Sequence, residues 1–537
     1  MFRKKSESTV ILIYLTILSL ILSVIISGCG KKETAGKSSK QTLLIATGKD
    51  DYSCSWGGKA VLCSEGLLLL DANLEFRPLL AESWEISEDG KIYTFYLRKG
   101  IKFHDGTPFD SKAVKYAFET YHDSFVKSDG IKSVETPDDY TVRFILKEQN
   151  PIFLSGLAVY REILSPPAVK QALEKGIQTD LITQRVFVGT GPFKFKEWVK
   201  DEKIVFEKSV DYWNGKVKLD EVIFKIIPDA QTRVCAFEAE DVHLIGNDPF
   251  SVIPLPEIPR LRKNPNIEIF NSPSFTTYGV TWFSFNTEKE LFKDIRIRKA
   301  ISCAVDVESI KKTVFGQEEV LITKGPISPL SKFANPNLKR HEYEPEIAKK
   351  LLAETGWKDT DGDGIVEKNG KPFKVIFPIG NRIPEWRTIA QILQAQLREV
   401  GIDVAIETYE DVALREMWKK GRYDLIAQTS IGSPHDDPQM HFESYYSTQE
   451  RFKYPPVIKD EKLDELISSL KTVTGNERIE VYQKIQQRIE ELIPGVYIYH
   501  EPMFTAVNKK VKNFTICSPL PWHRYQVLKD IYIGDKN

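Results

Sequence analysis

Segments with the two-residue periodicity of strands alternate along this chain with segments that have the periodicity of helices. Residues 92–97 and 140–146 place apolar side chains at every second position, as half-buried strands require. Between them, Asp110 precedes apolar residues at helical spacing and is a suitable N-cap. Because this alternation is typical of an open sheet covered by helices, the sequence predicts an α/β fold.

The same alternation continues in the second half of the chain. We predict a helix capped by Asp294, a helix from Pro345 to a stop at Gly356, and a helix that ends at Gly401 and feeds the strand 402–407. The helix that starts at Pro345 is predicted to bury Ile347, Ala348, Leu351 and Leu352. At 537 residues the chain is too long for a single hydrophobic core, so these elements must form at least two lobes.

The charge composition restricts the possible partners. The chain has 74 Lys and Arg residues against 75 Asp and Glu residues, which gives a formal net charge of -1. Without a global positive field, the protein is not suited to bind nucleic acid or an anionic membrane surface. The fractions of hydrophobic residues (42%) and charged residues (28%) are those of folded globular proteins, and they exclude a largely disordered or polytopic membrane protein.

The N-terminal segment has the pattern of an export signal. Basic residues at positions 3–5 precede an apolar run at 10–26, which ends in the sequence ISGC with Cys29 as its last residue. That sequence resembles the lipobox of bacterial lipoproteins, in which the cysteine thiol receives a diacylglyceryl group. We therefore predict a signal peptide at 1–28, a lipidated Cys29 and a flexible tether at 29–40. The alternative is a transmembrane anchor, because the run approaches the shortest length that spans a bilayer.

Cys29 leaves five further cysteines, an odd number that cannot all pair within the chain. They lack the C-x-x-C spacing of zinc or redox motifs. We therefore expect mostly buried structural cysteines with at most two disulfides, and Cys54 and Cys63 are the candidate pair.

Common catalytic signatures are absent from the sequence. It contains no G-x-S-x-G, no H-E-x-x-H and no G-x-x-x-x-G-K-[ST]. We therefore expect a binding protein that is not an enzyme and that needs no cofactor. A secreted glycosidase is the alternative from a different class, because two dispersed carboxylates leave no short motif. Turnover of an oligosaccharide panel would distinguish the two.

Eight segments match one known protein family in order and at matching intervals. They are PLLAESW (78–84), LRKGIKFHDGTPFD (97–110), GTGPF (189–193), YW (212–213), IPDAQTR (227–233), FNT (285–287), DIRIRKA (294–300) and YEPEIAKKLLAETGW (343–357). Over about residues 45 to 530 the chain resembles the bacterial extracellular solute-binding proteins of family 5, which serve peptide and nickel ABC importers.

The resemblance implies a two-lobed periplasmic-binding-protein-like fold of class II, cluster C type, with an extra subdomain and a two-strand hinge that closes on ligand. The implied ranges are 41–72, 186–278 and 495–537 for lobe one, 73–185 for its extra subdomain, and 279–494 for lobe two. Extended apolar segments near 278–280 and 496–499 are expected to cross between the lobes.

The resemblance also implies a function. We expect a monomeric, lipid-anchored receptor on the extracellular face of the cell membrane or in the periplasm. It would capture a short peptide or a nickel chelate by lobe closure and deliver it to the permease subunits of an ABC importer. A receptor for nickel chelates only is the narrower alternative.

The segment 430–442 is the candidate ligand loop. It follows the predicted strand 423–427 and so lies where open α/β sheets bind ligands. In peptide binders of this family, an aspartate just before a proline in a similar loop binds the peptide ammonium; that position matches Asp437, with Asp436 beside it. Such a charge pair is strong in a closed, dry cleft. The alternative is that Asp437 only makes an Asx turn with Pro438.

The same loop resembles that of nickel-binding members, which hold a metal chelate with aromatic, arginine and histidine side chains. This resemblance implies ligand contacts by Tyr52, Arg161 and His435, with His435 as the metal ligand if the cargo is a nickel chelate. The spacing of His435 and His441 is not that of a helical metal site, so His441 is expected to be a surface or structural residue. Trp282, near the predicted hinge, could also line the cleft.

The sequence DTDGDG at Asp359–Gly364 copies the opening of an EF-hand calcium loop. Position twelve of the loop is Gly370 instead of the bidentate glutamate. A solvated turn and a weak calcium site are both compatible with this pattern.

Overall fold

Strands and helices alternate through the chain in the computed structural model. The structure describes residues 40–50, 62–71, 73–122, 130–160, 162–246, 251–272, 279–316, 320–339, 341–381, 385–429, 437–448, 455–516 and 526–534. Residues 41–537 form a unit of their own. Within the described ranges, no helix is long and apolar enough to cross a membrane.

The strands are, in chain order, β1 (Thr42–Thr47), β2 (Leu68–Leu70), β3 (Phe76–Pro78), β4 (Ala81–Ile86), β5 (Ile92–Leu97), β6 (Ile131–Asp138), β7 (Thr141–Leu146), β8 (Phe193–Val199), β9 (Lys203–Lys208), β10 (Glu221–Ile226), β11 (Leu244–Ile245), β12 (Ile267–Ser272), β13 (Val280–Phe285), β14 (Leu321–Ile322), β15 (Glu367–Lys368), β16 (Lys371–Pro372), β17 (Lys374–Gly380), β18 (Asp403–Tyr409), β19 (Leu425–Thr429), β20 (Gly495–His500), β21 (Met503–Asn508), β22 (Val511–Lys512) and β23 (Tyr532–Ile533).

The α-helices are α1 (Ser111–Thr120), α2 (Phe153–Tyr160), α3 (Pro166–Glu174), α4 (Ile182–Arg185), α5 (Ala230–Glu238), α6 (Ile258–Arg262), α7 (Glu290–Lys293), α8 (Ile295–Cys303), α9 (Val307–Phe315), α10 (Pro345–Glu354), α11 (Glu385–Glu399), α12 (Asp411–Lys419), α13 (Gln439–Tyr445), α14 (Glu461–Ser469) and α15 (Gly475–Leu492). Short 3₁₀ segments lie at Thr179–Leu181, Leu255–Glu257 and Gln526–Asp530.

A seven-stranded mixed sheet has the order β12-β21-β11-β1-β10-β9-β8. β1 pairs in parallel with β10 and β11, whereas the other neighbouring strands are antiparallel. The GTGPF segment leads into β8. A Cβ on Gly189 would lie 2.3 Å from the carbonyl oxygen of Cys63, and one on Gly191 would lie 2.4 Å from that of Leu62. Only glycine therefore lets these two stretches of backbone pack together.

A second body has a four-stranded antiparallel sheet, β4-β5-β7-β6, packed against α1. Asp110 caps α1, since its carboxylate accepts a hydrogen bond from the N–H of Ala113 at 2.9 Å. The helix buries Val114, Ala117 and Phe118 in a hydrophobic cluster with the alternate residues of β5 and β7. The two strands and the capped helix predicted here are confirmed.

A third set of strands forms the sheet β14-β20-β13-β19, beside the parallel pair β17–β18. Asp424 joins β17 to this sheet: its carboxylate accepts the N–H of Ile376 at 2.8 Å, and its own N–H donates to the Ile376 carbonyl at 3.1 Å. The predicted helices are present as α8, capped by Asp294, α10 and α11. The predicted burial of Ile347 is wrong, because it is 39% exposed. The buried stripe of α10 runs through Ala348 and Leu352, and Ile347 lies beside it.

The chain connects the seven-stranded sheet with the sheet β14-β20-β13-β19 twice. β12 and β21 are neighbours in the seven-stranded sheet, and β13 and β20 are neighbours in the sheet β14-β20-β13-β19. The first connection lies between Ser272 and Val280, of which only Gly279 is described, and the second is 501–502. Of the predicted crossing near 278–280, residue 278 lies outside the described residues and Val280 is the first residue of β13. The other predicted crossing, 496–499, lies inside the buried strand β20, and the connection 501–502 follows it. The ranges given above for the lobes stay a prediction.

Among the described cysteines, Cys63, Cys235 and Cys303 are free thiols. Cys63 and Cys303 are buried, and burial raises the pKa of both thiols. The candidate disulfide between Cys54 and Cys63 is therefore wrong, whereas the expectation of buried structural cysteines holds for Cys63 and Cys303.

Candidate functional site

Two of the residues implied as ligand contacts, Asp437 and Trp282, lie in the described part of the chain. The other predicted site residues lie outside it: Cys29, Tyr52, Arg161, His435 and Asp436. For these five, the roles given above stay predictions.

Of the candidate ligand loop at 430–442, the structure describes residues 437–442 and the strand that precedes the loop. β19 precedes it and pairs with β13, with Thr429 opposite Thr281. The indole Nε1 of Trp386 donates a hydrogen bond to the Thr429 hydroxyl at 3.3 Å. Asp437 and Pro438 lead into α13, so the last residues of the predicted loop, 439–442, form a helix instead. The predicted strand before the loop is confirmed as β19.

Asp437 is buried and paired with an arginine. Its side chain is 7% exposed, and that of Arg478 is 5% exposed. The guanidinium donates from Nε to Oδ2 at 2.7 Å and from Nη2 to Oδ1 at 2.9 Å, a bidentate geometry. Oδ1 also accepts the hydroxyl of Tyr482 and, at 3.0 Å, the N–H of Gln439. The last contact is the Asx turn named above as the alternative, and a ligand contact by Asp437 stays a prediction.

Arg478 lies in the first turn of α15 and connects three helices. Its Nη1 donates to the carbonyl of Leu470, just after α14, and its Nη2 donates to the side-chain oxygen of Gln439 at 2.7 Å, in α13. Burial disfavours the charged guanidinium, but the hydrogen bonds and charge of Asp437 outweigh burial and raise the pKa of Arg478. The arginine therefore stays charged.

Sequence reasoning missed Arg478, although the sequence contains a signal for it. A cation in the first turn of a helix opposes the helix dipole, so a position of this kind calls for an anionic partner. The partner lies 41 positions away in the sequence, and only the packing of α13 against α14 and α15 brings it close.

Trp282 lies in β13 and is completely buried. Its ring stacks on Tyr497, at 5.1 Å between centroids and 15° between planes, and on Tyr446, at 6.2 Å and 19°. The hydroxyl groups of these two tyrosines are hydrogen-bonded to each other. A ligand reaches the indole only if this aromatic layer moves, so a cleft-lining role for Trp282 stays a prediction.

His441 is a buried residue of α13, as the structural interpretation of it expects. Burial, with a smaller effect from the charge of His500, lowers the pKa of His441 to about 3. The ring is therefore neutral near neutral pH. It packs against Tyr445 at 4.9 Å and Phe442 at 5.5 Å between ring centroids.

The DTDGDG segment brings four carboxylates together. Oxygen atoms of Asp359, Asp361, Asp363 and Glu367 all lie within 4.8 Å of one another. Glu367 supplies the fourth carboxylate where the calcium-loop pattern lacks its glutamate at position twelve. Its Oε2 already accepts the N–H of Thr360 at 2.9 Å and the hydroxyl of Thr360 at 2.8 Å. The three aspartates are exposed, and calcium binding here stays a prediction.

Comparison with known proteins gives consistent matches. Residues 75–452 match the family described as "Bacterial extracellular solute-binding proteins, family 5 Middle". The oligopeptide-binding protein AppA of Bacillus subtilis strain 168 is 29% identical over 480 residues, which cover 87% of this chain and 84% of that protein. The nickel-binding periplasmic protein of Escherichia coli K12 is 28% identical over 485 residues, with coverages of 87% and 89%.

A solved structure agrees with these relatives. The periplasmic binding protein DppA from Helicobacter pylori, in complex with the peptide STSA, is 28% identical and has a TM-score of 0.73. The alignment covers 92% of this chain and 98% of that one. The similarity therefore extends over nearly the whole of each protein, and the names of these relatives divide between peptide and nickel.

Proposed function

This chain belongs to the bacterial extracellular solute-binding proteins of family 5, and we propose that it is a lipid-anchored receptor that captures a short peptide or a nickel chelate by lobe closure. Members of this family are non-enzymatic substrate-binding components of ABC importers that act outside the cytoplasm. The glycosidase alternative is therefore wrong. The observation that carries the proposal is the similarity, over more than four fifths of the chain, to a peptide binder and to a nickel binder.

The topology supports closure by a hinge. The two connections between the sheets are hydrogen-bonded to each other, since the N–H of Glu501 donates to the Gly279 carbonyl at 2.8 Å. The Thr281 hydroxyl also donates to the Glu501 carboxylate, at 3.3 Å. Two connections joined in this way would bend together when the lobes close. A ligand that touches both lobes binds the closed state more tightly and shifts the population toward it.

The proposed anchor rests on the ISGC sequence that ends at Cys29. Acyl chains on this cysteine would give the protein its lasting membrane affinity, and the segment 29–40 would then connect the anchor to the fold. A Cys29→Ala variant is expected to lose the acyl group and to leave the membrane fraction. Membrane retention of a cleaved Cys29→Ala protein would contradict the lipoprotein assignment.

The cargo is tested first by what the protein carries. Native mass spectrometry of the full chain as purified is expected to show a bound peptide or a bound metal. Titration calorimetry of ligand-free protein with the peptide Ser-Thr-Ser-Ala, and separately with nickel plus free histidine, then gives the affinity for each class. If the protein binds neither class, the proposed function is wrong.

One substitution separates the two kinds of cargo. For a nickel chelate, the proposed contacts are His435 on the metal and Arg161 on a chelate carboxylate, with Tyr52 beside them. Binding of nickel plus histidine should then weaken strongly in His435→Ala and as the pH falls through the imidazole pKa, because a protonated ring cannot coordinate metal. Peptide binding should change little in this variant. Equal losses for both ligands would contradict the proposed role of His435.

A further inference from the structure

The carboxylate of Asp437 is already occupied by groups of the protein itself. Three donors converge on Oδ1, from Arg478, Tyr482 and the backbone of Gln439, and the Nε of Arg478 occupies Oδ2. Both members of the ion pair are at least nine-tenths buried. A carboxylate accepts about four hydrogen bonds, and one opposite charge neutralises it. Asp437 therefore has little capacity left for a ligand ammonium.

The same contacts fix the start of α13. Arg478 is held on one side by the Leu470 carbonyl and on the other by Asp437, two residues before α13, and Gln439, its first residue. Gln439 in turn donates to Glu443 at 2.9 Å, one turn further along α13. Loss of either partner would leave the other as a buried, unpaired charge. The pair therefore sets the position of the first turn of α13 relative to α14 and α15.

We propose that Asp437 and Arg478 are positioning residues of the ligand site and that Asp437 does not itself bind a ligand ammonium. This inference rests on the proposed function. It deepens that function, because it states what the site does not select: with the charge of Asp437 used by Arg478, this residue gives no preference for a peptide with a free N-terminal amine. The ammonium role implied by the family resemblance and the positioning role give opposite results with N-acetylated peptides.

The chain offers a matched control pair on the same helix, α15, which joins that helix to α14. Arg488, near the end of α15, donates to Asp460, the N-cap of α14, from Nε at 3.0 Å and from Nη2 at 2.6 Å. It is also a bidentate pair, with side chains 26% and 14% exposed. Because α14 and α15 run antiparallel, this pair lies at the opposite end of the helix pair from Arg478. It controls for a general loss of stability.

The experiment compares full-length wild type with Asp437→Asn, Arg478→Met, the double variant, Arg478→Lys and Arg488→Met. Each protein is titrated by calorimetry with Ser-Thr-Ser-Ala and with its N-acetylated form, and its thermal unfolding is measured. We expect Asp437→Asn and Arg478→Met each to weaken the binding of both peptides by the same factor, roughly ten-fold or more. The affinity lost in the double variant should be smaller than the product of the two single losses, because the two residues act as one unit. Arg478→Lys, which keeps the charge, should recover part of the affinity. The affinity of Arg488→Met for both peptides should stay within about two-fold of that of wild type, even if its unfolding temperature falls as far as that of Arg478→Met.

Three outcomes would overturn this inference and leave the proposed function standing. If Asp437→Asn weakens only the free-amine peptide while Arg478→Met spares or strengthens it, Asp437 is the ammonium partner. If Arg488→Met loses as much affinity as Arg478→Met, the effect is one of overall stability. If Asp437→Asn and Arg478→Met bind both peptides like wild type, the pair does not position the site.

If wild type binds neither peptide, all proteins are titrated with nickel plus histidine. The same pattern among the variants is expected with that ligand. Failure of wild type to bind any of the three ligands overturns the proposed function and this inference together.

Discussion

Glu65 is a buried carboxyl group whose described partners are all neutral. It accepts hydrogen bonds from the hydroxyl of Tyr212 at 2.6 Å, the indole of Trp213 at 2.7 Å and the hydroxyl of Thr190 at 2.8 Å. Burial raises the pKa of Glu65 to about 7, although the three hydrogen bonds act to lower it. The YW and GTGPF segments thus meet on one acid that changes its charge near neutral pH.

The raised pKa predicts how stability depends on pH. The folded protein holds the Glu65 proton more tightly than the unfolded chain does, so the stabilisation is complete below pH about 4.5 and is lost as the pH rises through about 7. The loss amounts to about 3 kcal/mol, since one pKa unit corresponds to about 1.4 kcal/mol. In Glu65→Gln this fall should be absent. The free energy of unfolding from urea titrations across this pH range measures it in both proteins.

A substitution at an exposed glutamate is the control for that measurement. The Glu346 side chain is 82% exposed, so Glu346→Gln should keep the wild-type pH dependence. A Glu65→Gln protein with the same pH dependence as wild type would contradict the assignment of this titration to Glu65.

At the residue scale, the sequence predicts a candidate ligand loop but not the state of its side chains. The DP pair, next to the predicted strand, was visible in the sequence. That Asp437 is neutralised by Arg478 could not be predicted, because the ion pair depends on the packing of three helices. The burial of Trp282 follows in the same way from contacts with Tyr446 and Tyr497, which are distant in sequence.

At the scale of elements, one arginine holds the ends of two helices. The guanidinium of Arg298, in α8, donates to the carbonyls of Ile493 at 3.0 Å and Leu492 at 2.7 Å, where α15 ends, and to that of Phe292 at 2.5 Å, in α7. Burial lowers the pKa of Arg298, but the carbonyls at helix C-termini favour a cation. The DIRIRKA segment thus contributes a buried cap for its neighbours.

Replacement of this arginine by methionine should be costly to stability. Arg298→Met leaves several carbonyl groups buried without donors, and we expect the free energy of unfolding to fall by about 2–4 kcal/mol. Arg296, two positions earlier, is the matched control: its side chain is 51% exposed and pairs with Asp294. Arg296→Met should cost at most about 1 kcal/mol, as exposed pairs do. Equal losses in the two variants, measured by urea unfolding, would contradict this role of Arg298.

The elements themselves were the best predicted level of the structure. Asp110 and Asp294 cap helices because a short carboxylate at this position satisfies a free N–H, which is a local interaction. Gly356 and Gly401, at φ +88° and +87°, follow helix ends for an equally local reason. Ile347 was mispredicted because its burial depends on which face of α10 meets α8, and that is a tertiary property.

At the scale of the whole molecule, closure on ligand can be measured directly. If the two connections between these sheets act as a hinge, a saturating ligand should reduce the radius of gyration in small-angle scattering, because the bound ligand favours the closed state. The peptide or nickel chelate that calorimetry identifies is the ligand to use, with a non-binding compound as control. An unchanged radius of gyration at verified saturation would contradict closure.

The order of strands in the seven-stranded sheet also has a consequence for folding. β21, close to the end of the chain, lies between β11 and β12 and pairs with both. Until Met503–Asn508 has been synthesised and exported, these two strands cannot acquire their shared neighbour and keep unpaired edges, which promote aggregation. Pairing over such a long sequence separation is slow. Of the seven strands in this sheet, the last to be made is thus the one that completes it, and a chain truncated before Met503 should fail to mature however well its other elements fold.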